Sequence, residues 1–164
     1  MGRRRLKMTI GLGPQEIVDA ADAAGVRAAR QADREPLAAL LIAAYRGTVD
    51  DDGETLDDAL AEIGRTLGGS YGPYLEPCSF LVEDEGRAVA ASLVTRWTEA
   101  PLLAFVMVAP DFQRRGLGEL VLRRSMAALW ASGETELVLF VTDGNTPAQR
   151  LYERLGFVAG EPGA

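Results

Sequence analysis

Histidine is absent from this chain of 164 residues, and cysteine occurs once, at Cys78. Without histidine the chain lacks the commonest general base and the commonest metal ligand, so we expect no zinc or copper site and no other metal. A lone cysteine cannot form an intramolecular disulfide, and without histidine it cannot form a catalytic Cys–His pair. The sequence therefore argues against disulfide-rich domains, zinc enzymes and cysteine–histidine hydrolases.

Long apolar runs are also lacking, since none approaches the ~20 residues of a membrane-spanning helix. The stretch 8–13 is too short and glycine-rich for the apolar part of a signal peptide, so we expect a cytoplasmic protein without a membrane partner. The net charge of −7 argues against nucleic-acid binding, although residues 3–5 are all arginine. We interpret these arginines as a flexible terminus rather than a binding arm.

The chain does have enough apolar residues for one hydrophobic core. Its length of 164 residues and hydrophobic content of 48% allow a single core and little more. We divide the chain into an N-terminal extension at 1–25, with a flexible start and a short helix at 14–24, and a single domain at 26–164.

The most informative segment is a basic, glycine-spaced loop between an apolar strand at 102–108 and an amphipathic helix at 117–132. Such a loop predicts an anion site, because the first N–H groups of a helix are unpaired and the helix dipole is positive there. The residues that would admit and attract a phosphate are Arg114, Arg115, Gly116 and Gly118. The alternative is an ordinary glycine turn with two solvated arginines.

A second informative segment follows the next buried strand, where Asn145 or Thr146 is a suitable N-cap. Pro147 suits the first turn of the helix, and Gly156 is a natural stop. Asn145 and Tyr152 are close to two helical turns apart, so both can face one cleft. The alternatives are that Asn145 is only a cap and that Tyr152 is only a half-buried aromatic at the rim.

Together, these two segments resemble the GNAT superfamily of acyl-CoA-dependent N-acetyltransferases. The family's phosphate motif, Gln/Arg-x-x-Gly-x-Gly/Ala, is matched by Gln113, Gly116 and Gly118. The residues that match its second motif are Asn145, Ala148, Leu151, Tyr152, Gly156 and Phe157. The resemblance covers about residues 79 to 159, and before Ser79 only the general layout agrees.

The rest of the chain predicts antiparallel strands followed by alternating strands and helices. The expected elements are a strand at 26–30, helices at 33–45 and 55–67, and a hairpin formed by 79–84 and 88–97. The strand at 102–108 contains nothing polar, so we expect it to be covered on both faces. This order predicts an α/β fold (mixed α+β): a central mixed, mostly antiparallel sheet with helices on both faces, as the GNAT resemblance also implies.

The resemblance implies that acetyl-CoA is the cosubstrate and that it lies in a V-shaped gap where two strands splay apart. Its pantetheine arm would pair with the strand at 102–108, and its pyrophosphate would lie on the backbone of the loop at 114–119. The implied cofactor-binding residues are Val106, Val108, Gln113, Arg114, Arg115, Gly116, Leu117, Gly118, Glu119, Asn145 and Tyr152.

The C-terminus departs from the family, whose members usually add a final β-hairpin after the Gly-Phe strand. Only seven residues follow Phe157, and they include Gly160, Pro162 and Gly163. The C-terminal hairpin is therefore truncated, and its place is open to another element. Because an open edge strand is a liability, we expect the N-terminal extension or a partner subunit, as in a homodimer, to cover it.

The resemblance implies transfer of an acetyl group from acetyl-CoA to a primary amine, with Tyr152 as the general acid that protonates the departing thiolate. The general base is open. Glu99 is the carboxylate nearest in sequence to the strand at 102–108, Glu83 on the hairpin is another, and a water relay is equally consistent with the sequence.

The acceptor side is expected in residues 45–77, where the family resemblance is weakest. Its acidic residues include Asp50, Asp51, Asp52, Glu54, Asp57, Asp58 and Glu62, and its tyrosines are Tyr45, Tyr71 and Tyr74. A carboxylate rim would attract a small cationic amine or a peptide or protein amine, whereas the alternative is a solvated acidic surface. Two other functions stay open: a non-catalytic acyl-CoA-binding sensor or structural module, and an interaction protein with an accidental glycine loop.

Overall fold

The computed structural model describes residues 4–15, 25–98 and 100–160 of the chain. Most of the helix expected at 14–24 falls outside these residues, and so does the candidate base Glu99. Within the described part of the chain, no helix is both long enough and apolar enough to cross a membrane.

Seven strands and four α-helices make up the described fold. The strands are β1 (Arg5–Gly11), β2 (Val26–Ala28), β3 (Phe80–Asp84), β4 (Arg87–Arg96), β5 (Pro101–Val108), β6 (Glu136–Thr142) and β7 (Val158–Ala159). The helices are α1 (Arg34–Tyr45), α2 (Leu56–Leu67), α3 (Leu117–Ala131) and α4 (Thr146–Leu155). The strands form one sheet in the order β2-β3-β4-β5-β6-β1-β7. Neighbouring strands run antiparallel except for β5 and β6, which confirms the predicted mixed sheet flanked by helices.

Helix ends lie where the capping residues of the sequence predict them. At the start of α2 the Thr55 hydroxyl accepts from the Asp58 N–H at 3.1 Å, and the Asp58 carboxylate accepts from the Thr55 N–H at 2.9 Å. This reciprocal pair satisfies two donors of the first turn. The Asn145 side chain caps α4, and Gly156 ends it with a φ of 107°, a left-handed conformation that favours glycine.

The N-terminal segment corrects one expectation, because residues 5–11 form a strand and not a flexible start. Strand β1 pairs with β6 along its whole length, from Arg5 opposite Thr142 to Gly11 opposite Glu136. On its other side it pairs with β7. The alternating apolar residues of β1 explain the insertion, since Met8 is only 3% exposed within the core beneath the sheet. The N-terminal extension thus supplies a strand of the sheet between β6 and β7.

Strand β5 corrects a second expectation, because it is not covered on both faces. Leu103 and Met107 are buried, but Phe105, Val106 and Val108 are only half-buried. β6 pairs with β5 only near its beginning, so the edge of the second half of β5 is open and the side chains beside that edge are only partly covered. The half-buried residues line the cavities described below.

Candidate active site

The site begins with a gap between β5 and β6. These parallel strands pair at only two positions, Leu102 with Val138 and Leu103 with Leu139, although β5 continues to Val108. Beyond these pairs the strands diverge, as the family resemblance implies. The divergence leaves one edge of β5 without a neighbouring strand, and an extended ligand could occupy that edge.

The backbone of β5 presents hydrogen-bonding groups to this gap. The N–H of Ala109, directly after the strand, donates to the carbonyl of Val89 on β4 at 2.8 Å. Successive N–H groups of a strand point to opposite sides, so the N–H groups of Val108 and Val106 point away from β4 and towards the gap. The two residues predicted for pantetheine contact therefore have the required backbone orientation.

A first cavity of about 590 Å³, which we call the loop cavity, joins this gap to the start of α3. Its wall includes Gln113, Arg114 and the first turn of α3, from Gly116 to Glu119. Gly116 is the N-cap of α3 with a φ of 75°, and a Cβ built there would meet nothing within 4 Å. The first turn of α3, whose N–H groups have no partner within the helix, therefore borders open space, as an anion site requires.

Gly118 serves the packing of α3 as well as the loop cavity. A Cβ built on Gly118 would lie 3.4 Å from Val108 Cγ2 and 3.6 Å from Leu151 Cδ2. A Cβ there would make ordinary van der Waals contacts, so α3 packs close to both β5 and α4 at this position. The strand edge and the helix N-terminus are held next to each other by this contact.

Two arginines of the loop cavity differ from the pair expected from sequence. Arg114 lines the cavity, whereas the Arg115 guanidinium stacks on the Phe112 ring, 4.7 Å from its centroid, and does not line it. Arg154 of α4 lines the cavity and lies 3.4 Å from a Glu119 carboxylate oxygen. Sequence reasoning missed Arg154, although it lies three residues after Leu151 of the second motif, a spacing that places both residues on one face of the helix.

A second cavity, also of about 590 Å³, lies on the other side of the gap, and we call it the acidic cavity. Its carboxylates are Asp50, Asp52, Glu54, Asp58 and Glu62, and its arginines are Arg5 and Arg65. Tyr45 and Tyr71 line it as expected, but Tyr74 does not, because its hydroxyl donates to the Ala29 carbonyl at 2.6 Å. Most of the acidic residues named from the sequence of 45–77 therefore line a cavity and are not dispersed over the surface.

The two cavities meet at a shared wall. The residues that line both are Tyr45, Asp50, Val106, Asn145, Ala148 and Tyr152. A ligand in the loop cavity and a ligand in the acidic cavity would therefore come into contact at this wall.

Tyr152 of the shared wall is 8% exposed and packs edge-on against Phe157, with 5.7 Å between ring centroids. Burial, and secondarily the negative charge of Asp50, raise the pKa of Tyr152 to about 12. Burial also raises the pKa of Tyr45 on the same wall. Tyr152 therefore keeps its proton at neutral pH and is available as a donor.

Asp50 is fixed at the shared wall by two residues, one at the end of β6 and one shortly after it. The Thr142 hydroxyl donates to Asp50 Oδ1 at 2.6 Å, and Asn145 Nδ2 donates to Asp50 Oδ2 at 3.2 Å. The Asn145 side-chain oxygen accepts from the Ala148 N–H at 3.4 Å, so one side chain caps α4 and holds Asp50. Sequence reasoning found the cap but missed Thr142 and this contact, which joins residues 92 positions apart.

Of the two carboxylates considered as bases from sequence, the described residues include only Glu83. Glu83 lines neither cavity, and it accepts a hydrogen bond from Arg27 Nε at 2.8 Å. Glu99 lies outside the described residues.

Residues 37–157 match the family model described as the Acetyltransferase (GNAT) family. The chain belongs to the GNAT family. The match includes the shared wall, the loop of α3 and helix α4, but it begins after β1 and β2. The resemblance inferred from the two motifs is thereby confirmed.

Three similar proteins indicate the range of this GNAT chain's relatives. A ribosomal protein bS18-alanine N-acetyltransferase from Salmonella typhimurium is 34% identical over 93 residues, which are 57% of this chain and 62% of that protein. A mycothiol acetyltransferase from Beutenbergia cavernae is 31% identical over 132 residues, which are 77% of this chain and 42% of that protein. The GNAT chain thus matches less than two thirds of the length of either curated relative.

The third is a solved GNAT-family acetyltransferase from Brucella melitensis in complex with acetyl-CoA. It aligns with a TM-score of 0.60 at 21% identity and covers 84% of this chain and 88% of its own. At this identity the likeness shows a common fold.

Proposed function

We propose that this GNAT chain transfers an acetyl group from acetyl-CoA to a primary amine of a small cationic molecule or of a peptide or protein. The observation that carries the proposal is the shared wall. The loop cavity and the carboxylate-lined acidic cavity meet at a buried, protonated Tyr152. A thioester entering from one side and an amine from the other would meet beside a proton donor.

On the cofactor side, we assign the pyrophosphate to Gln113 and to the backbone N–H groups of 114–119, which include the first turn of α3. The pantetheine arm would run along the free edge of β5 and pair with the backbone of Val106 and Val108. Three features support this assignment: the open space at Gly116, the direction of the β5 N–H groups and the divergence of β5 and β6. The Brucella protein of the same fold binds acetyl-CoA, which agrees with this assignment.

The chemistry requires a neutral amine, stabilisation of the oxyanion and a proton for the thiolate. The Val108 N–H is suitably directed to stabilise the oxyanion that forms when the amine attacks the thioester carbon. As the C–S bond breaks, the Tyr152 hydroxyl donates its proton to the sulfur. The side chain of Asn145 keeps the start of α4, and with it Tyr152, next to the gap.

The acidic cavity supports a cationic acceptor. Its five carboxylates outnumber its two arginines, and Arg65 is already paired with Glu62 at 2.6 Å. An excess of negative charge in a cleft raises the local concentration of cations and disfavours anionic amines. One relative is named as an N-acetyltransferase of a ribosomal-protein alanine, and we place the acceptor of this chain in the same class of amines.

Two measurements test the proposal together. Calorimetry reports whether CoA binds, and release of free CoA thiol from acetyl-CoA reports turnover with spermidine, an alanine-initiated peptide, Nα-acetyl-lysine and an anionic amine as control. We expect CoA binding and turnover with at least one cationic amine. Binding without turnover over the whole panel would favour the non-catalytic acyl-CoA-binding alternative, and absence of binding would contradict both.

A further inference from the structure

We propose that Asp50 binds the acceptor amine and accepts its proton, so that it serves as the general base of this chain. This inference rests on the proposed acetyl transfer. Its main support is position, since among the described carboxylates of the acidic cavity Asp50 alone also lines the loop cavity. A base must reach both the amine and the thioester carbon that the amine attacks.

Other carboxylates of the acidic cavity are engaged elsewhere. Asp58 accepts from the Thr55 N–H in the cap of α2. Glu62 pairs with Arg65 at 2.6 Å and accepts from the Tyr71 hydroxyl at 2.8 Å. These contacts hold both groups at α2, away from the shared wall.

The carboxylate of Asp50 is positioned but not saturated. Each of its oxygens accepts one described hydrogen bond, from Thr142 and from Asn145. An ionised carboxylate has about four acceptor sites, so two stay available for the N–H groups of an ammonium. The Asp50 N–H donates to the Thr48 hydroxyl at 3.2 Å, which fixes the backbone of this loop as well. Fixing a reactive group before the substrate binds lowers the cost of reaching the reactive geometry.

Two protons leave the ammonium nitrogen in the proposed reaction. One N–H bond of the ammonium breaks, and its proton goes to the Asp50 carboxylate, which leaves a lone pair on nitrogen. The C–N bond forms at the thioester carbon, the C–S bond breaks, and the thiolate takes the Tyr152 proton. The nitrogen must lose a second proton to become an amide nitrogen, and the Tyr152 oxygen takes this proton. Asp50 releases its own proton to solvent. One proton is thus released for each ammonium acetylated, and no oxidant or metal is needed.

The test compares Asp50→Asn with Asp52→Asn, a matched change of charge in the same loop and cavity. With spermidine and the alanine-initiated peptide as probes, we expect Asp50→Asn to lower kcat about 100-fold, within the range of general-base losses. Its CoA affinity by calorimetry should stay within about twofold, because the change lies outside the phosphate loop. Asp52→Asn should raise KM for the amine with little change in kcat.

A second pair of variants separates proton transfer from loop positioning. Asp50→Ala opens space for a small carboxylate, so formate should restore part of its turnover, whereas chloride at equal ionic strength should not. Thr142→Val removes a hydrogen bond but keeps the carboxylate, so we expect less than about a tenfold loss of kcat. Asp50→Asn with parental kcat, or equal losses in Asp50→Asn and Thr142→Val without formate rescue, would overturn the role of Asp50. A parent chain that binds CoA but acetylates no amine would overturn the acetyl transfer itself.

Discussion

The loop cavity and the acidic cavity share a wall, yet the chain builds them in different ways. Most of the loop cavity comes from two short stretches, 106–119 and 144–154, and it offers backbone N–H groups. The acidic cavity gathers side chains from β1, α1, α2, β5 and β6 and offers carboxylates. Backbone donors at a helix end suit a ligand that is constant across a family, whereas exchangeable side chains suit a ligand that varies. Local motifs therefore encode the proposed cofactor side, whereas the proposed acceptor side depends on tertiary packing.

The largest expected effect lies at the wall that the cavities share. Tyr152→Phe removes the proposed proton donor, so kcat should fall roughly ten- to a thousandfold while CoA affinity changes little. Kinetics at saturating acetyl-CoA measure kcat, and calorimetry measures the affinity for CoA. Tyr74→Phe is the control, because it removes a half-buried hydroxyl whose partner, the Ala29 carbonyl, lies outside both cavities. Parental turnover in Tyr152→Phe would reduce Tyr152 to a packing residue.

The loop cavity is tested by Gly116→Val. A β-branched side chain at a φ of 75° strains the N-cap of α3 and extends into the open space proposed for phosphate. We expect CoA affinity to fall about 100-fold, which is ~2.7 kcal/mol, by calorimetry.

Gly133→Val controls for strain in the Gly116 experiment. Gly133 has a φ of 92°, a Cβ built on it meets nothing within 4 Å, and it follows the opposite end of α3. This variant should lose stability but keep its affinity for CoA. Equal CoA affinities in the folded Gly116→Val variant and the parent would contradict the cofactor site.

The acidic cavity is tested by the double change Asp52→Asn with Glu54→Gln. Loss of two cavity charges should raise KM for a cationic amine by about fivefold to tenfold at low salt and leave KM for acetyl-CoA alone. Added salt should reduce the difference in KM between parent and variant, because exposed charges are screened beyond about 10 Å at 0.1 M. Asp84→Asn with Glu85→Gln removes the same charge from the β3–β4 hairpin, which lines neither cavity. The same KM increase in both pairs would contradict a specific role for the cavity.

The smallest expected effect is a pH dependence of stability that comes from Tyr152. Its pKa is raised to about 12 in the folded protein, so between pH 10 and 12 the folded state binds more protons than the unfolded state. The free energy of unfolding should therefore decrease as pH rises through this window, with a share from Tyr152 below about 1 kcal/mol at pH 10.5. Urea unfolding at pH 8 and pH 10.5 should show a smaller decrease in Tyr152→Phe. An equal decrease in parent and variant would contradict the raised pKa.

Sequence reasoning worked where a few neighbouring residues determine the structure. Thr55, Asn145 and Gly156 mark helix ends through their own side chains or backbone freedom, and the structure has those ends. Sequence reasoning failed where a strand or side chain contacts a partner that is distant in sequence. Strand β1 is short and begins among arginines, and no neighbouring sequence motif predicts that it pairs with β6. The contact of Asp50 with Thr142 likewise arises only when the loop after α1 reaches the end of β6.

The position of β1 in the sheet also has a consequence for folding. Arg5 pairs with Thr142, and 142 − 5 gives a separation of 137 residues between partners in one ladder. During synthesis β1 is therefore made long before its partner strand exists, and the central sheet cannot close until β6 has emerged. Such long-range pairing slows folding and leaves a strand edge exposed in intermediates. A nascent chain that stops before β6 would leave the apolar side of β1 unprotected, at a stage when a chaperone could bind it.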